Sequence, residues 1–196
     1  MANDSDSGTV EPRFKNKRAE NAMLAETLEE TIRRAAKTPY LAEQLFVFGM
    51  RCVQNGYDNQ YLDHWCKVWV RYSADFGENN CRSLLDALWE FVRVYRWHAS
   101  DPTGHHCLEC PCMARDEYLS MALISALQHQ DVACSGKCLR EIAPVAGLAE
   151  LERRAWQLAA EYLSLGQRFL PVSLTDVETT LLITDALRDA STATLH

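Results

Sequence analysis

Eight consecutive residues, His105-His106-Cys107-Leu108-Glu109-Cys110-Pro111-Cys112, gather two imidazoles and three thiols. Zinc takes four nitrogen or sulfur ligands in a tetrahedron, and a Cys-x-x-Cys step is a common way for one loop to supply two of them. Cys107 and Cys110 make that step, Cys112 adds a third sulfur, and Pro111 stiffens the chain between two of the candidates. The fourth ligand is expected from His105 or His106, with His98 and Cys52 as alternatives on flanking elements. The spacing therefore predicts a metal site with zinc favoured. An iron–sulfur cluster is the alternative cofactor, placed behind zinc because histidine is abundant here and the familiar ferredoxin spacings are absent.

A rival reading keeps the thiols and removes the ion. A redox sensor or thiol enzyme would use Cys107, Cys110 or Cys112 as the reactive group, which requires a depressed thiol pKa. A metal-responsive regulator, with an open site and a moving helix, is a third reading. Cys134 and Cys138 form a second location, read as a short Cys-Ser-Gly-Lys-Cys turn between helices. There Lys137 and a helix N-terminus are expected to lower a thiol pKa, which makes both cysteines redox candidates. Cys66 and Cys81 sit on apolar stripes and are expected in the core.

Other chemistries find no support in the residues. There is no glycine-rich phosphate loop, no nucleophile elbow, no HExxH motif and no Glu-x-x-His pair of a di-iron bundle. Asp63 and His64 are neighbours that diverge on a helix, His129 is expected to face solvent, and Arg115, Asp116 and Glu117 read as the charged first turn of a helix. The expectation is a non-enzymatic protein that acts through a protein partner or self-association, with a catalytic role left open.

The elements that must position these groups are helical. Apolar residues recur at spacings of three and four, punctuated by only eight glycines and six prolines. Leu24, Leu28, Ile32 and Ala35 mark a first helix; Thr38 and Pro39 open a second along Leu41, Leu45, Phe48 and Cys52. A third is expected from near Asp58, after an Asn55-Gly56 turn, through Tyr61, Trp65, Val68 and Tyr72. A fourth spans about Asn80 to His98 along Cys81, Leu84, Leu88, Phe91 and Tyr95, and a fifth about Ala114 to Gln130. A sixth follows Leu148, Leu151, Ala155, Leu158, Tyr162 and Leu165. A last, capped by Thr175 and Glu178, carries Val177 and Leu181. Of the tryptophans, most are expected in the core, with some left to surface in a partner groove.

The fold expectation is all-α: a single-domain bundle of about six to seven helices with short loops over residues 17–196, preceded by a disordered tail over 1–16. Antiparallel neighbours put the 105–112 loop and Cys52 at one end of the bundle, and Cys81, Cys134 and Cys138 at the other. A fifth helix of about sixteen residues would be about 24 Å long and would hold the two cysteine groups apart. The stripe of the fourth helix would pair as well with a second subunit as with its own chain.

A formal charge of -7 argues against broad nucleic-acid affinity, and the Arg13, Lys15, Lys17 and Arg18 cluster reads as a solvated tail. No run approaches the roughly eighteen apolar residues of a membrane helix, and the opening residues lack the apolar segment of a secretory signal. A cytoplasmic address is the expectation, and a reducing compartment disfavours disulfides among the eight cysteines.

Overall fold

The computed structural model describes residues 41–59, 62–99, 108, 110 and 112–193. The tail expected over 1–16, the first helix with Leu24 to Ala35, the Thr38-Pro39 start, and His105, His106 and Cys107 lie outside the described residues. Those described form seven α-helices: α1 (Leu41–Asn59), α2 (Leu62–Phe76), α3 (Glu78–His98), α4 (Arg115–Gln128), α5 (Val132–Ile142), α6 (Leu148–Ser164) and α7 (Leu174–Ala193). A 3-10 turn, Val145–Gly147, leads into α6. Among the described residues there is no strand, and the fold is all-α as the periodicity requires.

Sequential helices run antiparallel. Tyr72 near the end of α2 donates its hydroxyl proton to the Leu45 carbonyl near the start of α1, at 2.7 Å. At the opposite end Arg96 of α3 pairs with Asp58 of α1 at 2.7 Å. Because the Tyr72 proton is committed to Leu45, the Tyr162 hydroxyl, 2.9 Å away on α6, is the donor to Tyr72. Phe46, Phe91, Tyr162 and Phe169 pack edge-on or tilted around this pair.

The helix expected from Ala114 is the innermost element. Every residue of α4 from Leu119 to Gln128 is buried. A helix enclosed on all sides must satisfy its polar groups from within. Ser125 donates to the Leu170 carbonyl at 2.6 Å, and the Gln128 side chain donates to the Ala159 and Gln167 carbonyls and accepts from the Phe169 amide. His129, expected in solvent, instead places Nε2 2.8 Å from the Phe169 carbonyl. Polar residues of α4 thereby pin the segment between α6 and α7.

Further expectations are corrected. The Asn55-Gly56 pair is not a turn: α1 continues to Asn59, and Gly56 is where Trp65 of α2 lies against the helix, 2.6 Å from where a Cβ would sit. The Cys134-to-Cys138 stretch is not a turn either, but the body of α5, opened by Asp131, whose carboxylate accepts from the Cys134 amide at 2.9 Å. The cap of α7 is set two residues earlier than Thr175 and Glu178: Ser173 and Asp176 exchange side-chain hydrogen bonds with each other's main-chain amides. Finally, none of the five tryptophans is fully buried, and Trp97 is 84% exposed. The apolar stripe of α3 is buried against its own chain, so it offers no face to a second subunit.

Candidate functional site

The described part of the cysteine loop is fastened to α1. Arg51 donates from Nη1 to the Cys110 carbonyl at 2.7 Å and from Nη2 to the Cys112 carbonyl at 2.6 Å. The same guanidinium grips Glu117 of α4 through two bonds, Nε to Oε1 at 2.7 Å and Nη2 to Oε2 at 2.8 Å. Both side chains are buried, at 4% and 1% exposure. A buried charge pair of this kind survives desolvation only with close geometry and filled hydrogen-bonding positions, and this one has both. Glu117 also accepts from the Ala114 amide at 2.9 Å. Ala114 lacks a side-chain oxygen, so Glu117 supplies alone the returning half of a capping box at the start of α4.

The residues nearest the loop form a cavity of about 470 Å³, walled by Glu43, Phe48, Arg51 and Leu108 with Cys110, Cys112, Met113 and Met121. Cys112 is exposed and Cys110 partly exposed. Four sulfur-bearing side chains thus line one concavity, two as thiols and two as thioethers. Glu43 is 8% exposed; its Oε1 accepts from the Leu170 amide at 2.5 Å and its Oε2 is buried without a hydrogen-bond partner among the described residues.

The alternative fourth ligands lie elsewhere. Cys52 is fully buried in the core, where loss of solvent pushes its thiol up to about 12. His98 packs on Gly147, leaving no room there for a Cβ, and its Nε2 lies 3.6 Å from a Glu150 carboxylate oxygen. Among the described residues no three of histidine, cysteine, aspartate and glutamate come together in a metal-binding group. Cys110 and Cys112 are the two members of the expected set that the described structure places side by side.

Cys134 and Cys138 are both fully buried on one face of α5. Burial is the largest influence on each and raises both thiols, the opposite of the lowering expected from Lys137. Lys137 is committed to Glu141 at 2.9 Å. The two cysteine locations are distinct, but helix length is not the reason. Helix α5 folds back along α4 far enough for Glu141 to meet Arg115 at 2.6 Å. What differs is the face: Cys134 and Cys138 look into the core, with Cys134 Sγ donating to the Val172 carbonyl, whereas Cys110 and Cys112 border a cavity against α1. Of the two cysteines expected in the core, Cys81 is fully buried and Cys66 is exposed, because its place on α2 faces out of the bundle.

Glu43, Arg51, Glu117, Met113 and Met121 are not marked by any motif. Two signals do exist in the sequence. Arg51 interrupts the apolar run Phe46-Val47-Phe48-Gly49-Met50, and a glutamate three residues into a helix start is the acceptor position of a capping box. Comparison with known protein families, curated proteins and solved structures finds no match to this chain.

Proposed function

We propose that the loop 105–112 is a zinc site in which Cys110 and Cys112 are joined by Cys107 and one imidazole of His105 or His106, and that the protein acts by binding a partner protein. The observation that carries this reading is the use of Arg51. A buried, doubly bonded cation spends its remaining donors on the backbone of the two cysteines, which holds their spacing while leaving both thiols outside the core. Holding ligands from behind through their backbone is how a site is kept in geometry before the ion arrives. Partner binding is preferred to catalysis in this reading because the sequence carries no recognised catalytic motif.

Elemental analysis of the full chain, purified under reducing conditions without a tag and challenged with zinc, tests it. About one equivalent of zinc is expected, falling several-fold in Cys110→Ser and Cys112→Ser. Below about a tenth of an equivalent the reading fails. Visible charge-transfer absorption would point to iron and sulfur. Rapid alkylation of one loop thiol below neutral pH in metal-free protein would favour the redox reading.

A further inference from the structure

Helices α2 and α3 leave open a groove of about 470 Å³ that shares no lining residue with the cavity beside the cysteines. Trp65, Trp69 and Trp89 line it, with Val53 and Leu85 as apolar floor and Asp86 as the one charged side chain in its wall. Trp65 and Trp89 lie with ring centroids 3.8 Å apart, and Tyr57 packs on both at 5.8 and 5.1 Å, so two of the three indoles are fixed from behind. Asp86 is exposed and has no ion pair among the described residues.

We infer that this groove binds a small ligand carrying an alkylated ammonium head, of the trimethylammonium class. Indole surfaces attract cations through the ring quadrupole, and tryptophan does so best. A single carboxylate beside them supplies the complementary charge, and no basic residue lines the groove to oppose it. Among the described residues, the only other side-chain acceptor lining the groove is Cys66, a weak one, and this selects the kind of cation. A primary ammonium brings three N–H donors that valine, leucine and indole cannot accept, and burying them unpaired is costly. A fully alkylated head brings charge and apolar surface with no donors to satisfy. The volume lies within the range of small-ligand pockets.

The test uses the full chain with Trp97→Phe and Trp156→Phe, both of which remove exposed indoles remote from the groove lining. Choline is titrated against its neutral isostere 3,3-dimethylbutan-1-ol, with tryptophan fluorescence as readout. Saturable quenching by choline is expected with a Kd of about 1 mM or tighter. The isostere should bind about fivefold more weakly, and Asp86→Asn, a surface change that leaves the fold intact, should narrow that preference, the indoles alone supplying the remainder. Equal binding of the two ligands, or an unchanged preference in the Asp86 variant, overturns the assignment. So does quenching that stays linear to about 20 mM. Sedimentation showing a dimer that choline does not dissociate and that Trp69→Ala does would assign the groove to a second copy of the chain instead.

Discussion

Glu117 and Arg51 show how a charged residue earns a place inside a helical core: each closes hydrogen bonds that no apolar residue could. Replacing Arg51 with Met strips the buried Glu117 carboxylate of its countercharge and two loop carbonyls of this donor, and a loss of about 3–5 kcal/mol in urea unfolding is expected. The Arg51→Met/Glu117→Leu double variant should recover part of that loss, since it removes the stranded charge. A single-variant loss below about 1 kcal/mol would mean the clamp does not hold the loop. The thiols make a second prediction. Cys52 is raised from 9.0 to about 12 in the folded protein. Between those values the unfolded chain has released its proton while the folded one keeps it, so stability is intact below pH 9 and falls as pH rises toward 12. Cys138 and Cys134 act in the same direction. The urea midpoint should therefore decline steadily above pH 9, and less steeply in Cys52→Ala. At this scale the sequence showed which residue types can bind an ion, because ligand chemistry is local. It could not show Arg51 reaching across 66 positions to Glu117, because that pairing depends on how two helices are brought together.

At the scale of the element, the helices were legible where apolar spacing was uninterrupted, and misread where a glycine stood inside one. Gly49, Gly56 and Gly136 all lie within helices, yet their environments differ. A Cβ at Gly49 would land on the Tyr72 hydroxyl and 2.7 Å from Leu88 Cδ2, both in the core. A Cβ at Gly136 would meet only the mobile end of Arg140, at 3.3 Å. Alanine gains about 1 kcal/mol over glycine in a helix interior, against about 1–3 kcal/mol for overpacking. Gly136→Ala should accordingly stabilise, by about 0.5–1 kcal/mol, and Gly49→Ala should destabilise by more than about 1 kcal/mol. Gly56→Ala should fall between, because Trp65, which the added methyl would press against, is only partly buried. Thermal denaturation of the three variants checks the order. The cap of α7 was misplaced because Ser-x-x-Asp and Thr-x-x-Glu overlap in Ser173 to Glu178, and either pattern satisfies the same local rule. Ser173→Ala should cost about 1 kcal/mol if α7 contributes to the cooperative unit.

At the scale of the whole molecule, one helix is surrounded by the others, and this ordering follows from composition. Helix α4 contacts α1, α5, α6 and α7. Its sequence, Leu-Ser-Met-Ala-Leu-Ile-Ser-Ala-Leu, is apolar or small all round, which only a central position satisfies. The all-α class was readable from periodicity, whereas the return of α5 along α4 was not, since a Gly inside Cys-Ser-Gly-Lys-Cys outweighs helical spacing in a local reading. Native-state hydrogen exchange should place the slowest amides in α4, at free energies near that of global unfolding, with α7 exchanging sooner. Equal protection in α7 and α4 would contradict a molecule built around one enclosed rod.

Glu117 finishes the N-terminal end of that rod and, with the same two oxygens, neutralises the cation that grips the backbone of Cys110 and Cys112. Assembly of the interior and fastening of the sulfur-bearing strand are therefore a single event. Every folded copy holds the backbone of the two cysteines at one spacing, and any guest must suit that gauge, since resetting it would mean loosening the molecule at its centre.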